Sequence, residues 1–234
     1  MVKYARKANQ SGCILHCGVR KHARTLKEES ELNFFRSIPI KSMTECIIRA
    51  FPLYLRKDVK LICKNLNFSE YFYYYDSTEW LLSSGEVLTM PYRIVLKDEY
   101  RGDLRSLTKT QKAIYHCIMS RSSDGYVREK HIKALLNSDT PEWAMPYVIK
   151  VCDEYVVEIL QTVYSSLITR DCTKYRQLCA LNLEYIKRAH TRMVSYWNEF
   201  YRWDCYRYDN YIGKKLYRYC FGYGKTGQKA IKFE

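Results

Sequence analysis

The chain has 234 residues, 47% of them hydrophobic and 27% charged, which is ordinary globular usage and excludes fibrous and wholly disordered architectures. It is long enough to bury about 70% of the surface its unfolded form exposes, so it needs no staple to fold, and no run of 18 apolar residues marks a membrane span. Its 39 Lys and Arg against 25 Asp and Glu give a net charge of +14, which suits an acidic partner.

Residues 1–45 read as a loosely structured basic segment, because residues 1–27 carry seven Lys and Arg and no acid. Residues 46–107 read as a small mixed region. Cys46, Ile47, Ala50 and Phe51 step at helical spacing before Pro52, and Asp58 is the expected N-cap of a short helix holding Val59, Leu61, Ile62 and Leu66. The aromatic run Tyr71–Tyr75, then Trp80-Leu81-Leu82, the turn Ser83-Ser84-Gly85-Glu86 and the run Val87–Leu96 predict a β-hairpin near residues 71–96. Pro91 confines its second strand to an edge or a bulge.

Residues 108–220 read as a helical body. Thr108 and Gln111 have capping-box spacing, followed by Ile114, Tyr115, Ile118 and Met119. Asp124-Gly125 is a turn before a helix lined by Val127, His131, Ala134 and Leu135. Pro141-Glu142 opens a third helix with Trp143, Tyr147, Val148 and Val151, and Ile159, Leu160, Val163 and Leu167 mark a fourth. One long helix from about Thr173 to Arg202 is expected from Leu178, Leu181, Tyr185, Ile186, Ala189, Met193, Tyr196, Trp197 and Phe200. Residues 221–234 form a basic tail. The fold class is therefore mainly α, a helical-repeat-like or helical-bundle body with one small hairpin.

The segment Asp124-Gly-Tyr-Val127-Arg128-Glu-Lys-His131-Ile-Lys-Ala134-Leu135 resembles the second helix of a HEAT repeat, and a fainter unit follows through Asp153 and Val156-Val157. The resemblance spans roughly residues 108–168, at most two units, and His131 departs from it where a small residue usually packs. It implies stacked helical layers, with Arg128 bound to an acid of the next layer. Asp153 is the expected partner.

Candidate chemistry is sparse. Gly222-Tyr-Gly224-Lys225-Thr226 lacks the upstream glycine and the following helix of a phosphate loop. Cys13, His16, Cys17 and His22 match no common zinc spacing. His116 and Cys117 are helix neighbours that point about 100° apart, a poor base and nucleophile pair. Asp153, Glu154 and Glu158 read as a solvated acidic face, and His131 as a packed or hydrogen-bonded helix residue. No metal or cofactor is expected, and a binding protein is favoured over an enzyme. Ten cysteines are too few for a disulfide scaffold, and Cys117, Cys152 and Cys179 sit at apolar helical positions. A reducing, cytoplasmic setting follows.

The richest segment is the C-terminal one. Arg202, Arg207, Lys214, Lys215 and Arg218 alternate with Trp203, Tyr206, Tyr208, Tyr211, Tyr217 and Tyr219. Cations can hold an acidic protein surface or nucleic-acid phosphates, while exposed rings stack on bases. Arg202, Arg207, Tyr208, Tyr211, Lys214, Lys215 and Arg218 are the expected contacts. Residues as far as Phe200 are expected to be core.

Overall fold

Helices carry most of the chain, as the periodicity predicts. A computed structural model describes residues 40–69, 77–97 and 100–224. The first 39 residues with their four Cys and His side chains, the run Tyr71–Tyr75 and the tail from Lys225 lie outside the described residues. The described elements are α1 (Ile40–Ile48), a 3-10 turn (Leu53–Leu55), α2 (Arg56–Lys64), β1 (Ser77–Leu81), β2 (Val87–Pro91), α3 (Lys109–Met119) and α4 (Gly125–Leu136). A 3-10 turn (Glu142–Ala144) leads into α5 (Met145–Val151), followed by α6 (Val157–Leu167), α7 (Thr173–Leu181) and α8 (Leu183–Tyr196). A π-helical turn (Trp197–Tyr201), a 3-10 turn (Tyr208–Asn210) and α9 (Ile212–Tyr219) complete them. None of these helices is long and apolar enough to cross a membrane.

Neighbouring helices form a relay: α2 packs on α3, α3 on α4, α4 on α6 and α6 on α9. One core runs from Met43 to Phe221, so the 46–107 region and the 108–220 body share a single interior. Helix α1 starts at Ile40, inside the segment expected to be loose, and Met43 is already 1% exposed.

The hairpin follows its local chemistry. Strands β1 and β2 pair antiparallel with Trp80 opposite Leu88 and Ser77 opposite Pro91. Trp80, Leu88 and Met90 are fully buried, the inward half of an alternating pattern. Gly85 adopts φ +84° in the connecting turn, a left-handed backbone that glycine accepts without a steric penalty. The capping box also forms: Gln111 N–H donates to Thr108 Oγ1 at 3.2 Å and Thr108 N–H to Gln111 Oε1 at 3.1 Å. Asp124 caps α4 by accepting from Tyr126 N–H at 2.8 Å.

Four expectations are corrected. Asp58 is not an N-cap; α2 begins at Arg56, and Asp58 instead accepts from Gln111 Nε2 at 2.7 Å, tying α2 to α3. The buried stripe of α4 is Arg128, His131, Ile132, Leu135 and Leu136, with Val127 and Ala134 only half-buried. A charged residue heads that stripe, so apolar periodicity alone rotates the face. The long helix from Thr173 to Arg202 breaks at Asn182, whose backbone sits at φ −114°, ψ 38°. Its side-chain amide donates to Leu81 O at 2.9 Å and accepts from Leu81 N–H at 2.8 Å, so the interruption binds the free edge of β1.

The fourth correction is Phe200, which is 48% exposed rather than core. The π turn inserts one residue into the helical register, so Tyr201 takes the inward place and stacks on Tyr211 at 5.9 Å. Phe200 is thereby turned outward.

Candidate functional site

The expected C-terminal contacts divide by burial. Helix α9 buries Gly213, Leu216 and Tyr217 and exposes Arg218, with Lys214 and Lys215 half-buried at the rim. Gly213 lets α9 lie close to α8, since a Cβ there would come within 2.7 Å of Met193 Sδ. Lys215 and Arg218 are three residues apart and share the outer side of one helical turn. They line a surface hollow of about 210 Å³ with Lys214, Asp209 and Tyr219. Lys214 pairs with Asp209. Arg202 and Arg207 are exposed, and Arg202 donates to Asn198 Oδ1 at 3.1 Å. None of Arg202, Arg207, Lys215 and Arg218 forms an ion pair among the described residues, although Arg207 and Arg218 lie close enough to Asp209 to help Lys214 lower its carboxyl.

Two expected contacts are structural. Tyr211 is 3% exposed and packs inside against Tyr201, so it offers no ring to a partner. Tyr208 is half-buried: its hydroxyl meets His190 Nε2 at 3.2 Å, and its ring lies 4.9 Å from Trp197 and 4.7 Å from Lys214 Nζ. The rings of this block that face solvent are Trp203 at 93%, Tyr206 at 76% and Tyr219 at 42% exposure. Charge density singled out their block, but which rings face inward depends on the π turn.

A second constellation was only partly legible in the sequence, which names Arg128 and Asp153 but not Arg93 or Arg121. Glu154, 3% exposed, takes Arg93 Nη1 on Oε1 at 2.8 Å and Arg121 Nη2 on the same oxygen at 3.5 Å. Arg128 Nε lies 2.8 Å from Oε2, a close ion pair rather than an aligned hydrogen bond. Arg128 Nη1 also donates to the carbonyls of Ser122 and Ser123 at 3.0 and 2.9 Å. The acid paired with Arg128 is thus Glu154, not Asp153. Cys152 to Val156 form the turn between α5 and α6, where successive side chains diverge, and the two adjacent carboxylates leave in different directions.

Asp153, 2% exposed, gathers Lys150 Nζ at 3.1 Å, the Tyr185 hydroxyl at 2.6 Å and Arg192 Nη2, all on Oδ2. The reading of these acids as a solvated face holds only for Glu158, which is exposed. Tyr92 joins the two halves: Arg93 stacks 4.6 Å from its ring, Lys150 Nζ lies 5.0 Å from it, and its carbonyl accepts from Arg121 Nη2 at 2.6 Å.

Burial governs the electrostatics here. Burial pulls the Arg121 and Arg128 guanidiniums below their ordinary range, although Glu154 opposes the shift. Burial lowers Lys150 to about 8, with Asp153 resisting and Arg121 and Arg192 adding to the fall. Burial pushes the Asp153 carboxyl up, but Lys150, Tyr185 and Arg192 together hold it below the usual carboxylate range.

His131 is packed and hydrogen-bonded, as expected of it. Its Nδ1 lies 2.8 Å from His116 Nδ1, so one ring donates while the other accepts, an arrangement that requires a neutral acceptor. Burial, with His116 and Lys130 nearby, drives His131 down to about 3, and burial also lowers His116. The unfolded chain protonates its histidines near pH 6.5, whereas the folded pair refuses the proton until lower pH. Stability should therefore fall as pH drops below 6.5 and go on falling toward pH 3, by about 1–2 kcal/mol at pH 5. Urea titrations at pH 7 and pH 5 measure this, and His131→Phe should flatten the difference.

Among the described residues no three His, Cys, Asp or Glu side chains gather to hold a metal. Compared with protein-family models, curated proteins and solved structures, the chain matches none of them.

Proposed function

We propose that the chain is a non-catalytic binding protein whose helical body, stacked in the manner of HEAT-like layers, presents a basic and aromatic C-terminal surface to single-stranded nucleic acid. One observation carries the reading: Arg202, Arg207, Lys215 and Arg218 form no ion pair among the described residues, and Trp203 and Tyr206, between Arg202 and Arg207 in the chain, are 93% and 76% exposed. Leaving an indole in water forfeits its burial energy, which a partner that stacks on it returns. An acidic protein surface would use the cations but leave those rings without a role. Nucleic-acid phosphates use the cations while the bases cover the rings, and stacking is worth about 1–3 kcal/mol per base. A reducing, cytoplasmic setting belongs to the same reading, supported by the free thiols of the eight described cysteines.

Fluorescence anisotropy tests it with a labelled single strand, the same sequence as duplex, and polyglutamate, at one salt concentration. The single strand should bind tightest. Trp203→Ala should weaken it about 5-fold or more, from the loss of one stacked base, while leaving the melting temperature within about 1 °C because the side chain is exposed. Equal affinity for polyglutamate, or no effect of Trp203→Ala, would contradict the reading.

A further inference from the structure

Among the described residues, the cluster around Asp153 and Glu154 is short of negative charge. Arg93, Arg121, Arg128, Lys150 and Arg192 are all in contact with these two carboxylates, five cations against two anions. Arg121 is 0% exposed, Arg128 2% and Lys150 2%, so the buried cations alone outnumber the buried carboxylates. Buried charge is normally balanced, because an uncompensated ion out of water is costly. The shortage also shows in hydrogen bonding, for Nε and Nη1 of the fully buried Arg121 have no acceptor among the described residues.

The cluster reaches the surface through Arg93, Tyr92 and Arg192. Lys150 links them, since its Nζ lies 5.0 Å from the Tyr92 ring beside Arg93 and shares Asp153 Oδ2 with Arg192. The side chains of Arg93 and Arg192 are 20% and 42% exposed, and Tyr92 is 40% exposed. Each arginine spends part of its guanidinium on a buried carboxylate, which fixes the fork in place while leaving donors toward solvent. Aromatic surface adjoins these residues. Tyr196 lies near enough to Tyr92, Asp153 and Arg192 for their charges to act on its hydroxyl, and its ring packs with Tyr155 at 6.1 Å and with Phe200 at 6.3 Å.

The geometry points to an oxyanion site at Arg93 and Arg192 that takes a phosphate monoester. A dianion there offsets most of the excess positive charge, and its oxygens accept from two pre-positioned guanidinium groups. The phosphate can be free or can end a nucleic-acid strand whose terminal base lies on the Tyr155–Tyr196–Phe200 rings. The site rests on the charge count around two buried carboxylates and not on the Lys215–Arg218 row, so it stands or falls separately from the reading above.

The experiment compares thermal unfolding and ³¹P line width for the full chain in inorganic phosphate, in a 5′-phosphorylated dinucleotide and in the same dinucleotide with a 5′-hydroxyl. Chloride holds the ionic strength constant. The melting midpoint should rise saturably, by roughly 3–5 °C at ten times Kd, and the phosphorus line should broaden. A rise with inorganic phosphate itself identifies the free anion as sufficient. A rise with the 5′-phosphorylated dinucleotide alone identifies a strand end.

Arg93→Gln leaves Glu154 paired with Arg121 and Arg128 and should fold, yet it should weaken the effect about 10-fold. Arg192→Lys keeps the charge and should retain part of it. Lys215→Glu/Arg218→Glu should leave it unchanged. A phosphate effect that does not saturate, that is the same in Arg93→Gln, or that is equal for the 5′-hydroxyl dinucleotide would overturn the site.

Discussion

Glu154→Ala is expected to cost about 3–5 kcal/mol, the size of effect seen when one member of a buried ion network is removed. The loss leaves Arg93, Arg121 and Arg128 facing one another, with Arg121 fully buried and Arg128 2% exposed. Three segments part company at once: the stretch after the hairpin holding Arg93, the end of α3 with its turn, and the first turn of α4. At roughly 2–4 °C per kcal/mol for a chain of this size, the melting midpoint should drop by about 10 °C. Arg128→Ala should also destabilise. Its combination with Glu154→Ala should be strongly non-additive, with a coupling above about 1 kcal/mol, because both variants remove the same contact. Arg128→Ala with Asp153→Ala should come closer to additive, because those residues engage different partners. Urea titrations of the three single variants and both pairs check this.

Trp80→Ala should have a loss of similar size, about 3–5 kcal/mol. Trp80 is 0% exposed, pairs across the hairpin with Leu88 and meets the Tyr185 ring at 4.5 Å. Two strands alone are marginal in water, so this one indole, together with the Asn182–Leu81 hydrogen bonds, anchors the hairpin to the helices. Tyr185 also donates to Asp153, so the cavity would open beside the ionic cluster. Trp80→Phe should cost less, because a ring stays against Tyr185 while the indole N–H, which has no hydrogen-bond acceptor among the described residues, is removed. Near-UV circular dichroism and thermal melting distinguish the two variants.

The Glu154 network lay beyond sequence reasoning, whereas the burial of Trp80 did not. Features set within four or five residues were readable: the Thr108–Gln111 box, the Ser83–Glu86 turn with its glycine, and the alternation that buries Trp80 and Leu88. Features set by a distant segment were not. Asn182 sits inside an unbroken apolar periodicity, yet the helix stops there and its amide engages Leu81, 101 positions away. The outward turn of Phe200 depends on a π turn that no residue type announces. The Arg128 partner was missed by one position because the orientation of adjacent acids in a turn is decided by which cations arrive from elsewhere. Arg121 carried no signal, since Ser120, Ser122 and Ser123 beside it look like surface, and nothing in the apolar run Met90–Leu96 around Arg93 names its distant partner.

The central claim, binding of a single-stranded polyanion through exposed C-terminal cations, is tested most directly by the salt dependence of affinity. Titrations of a labelled single strand should give a straight line of log affinity against log salt, with a slope near −0.7 per phosphate contacted. Lys215→Glu/Arg218→Glu should make that slope shallower by about 1.4 while leaving the melting temperature close to wild type, since both side chains are at the surface. An affinity insensitive to salt, or a slope identical in wild type and the double variant, would contradict the account.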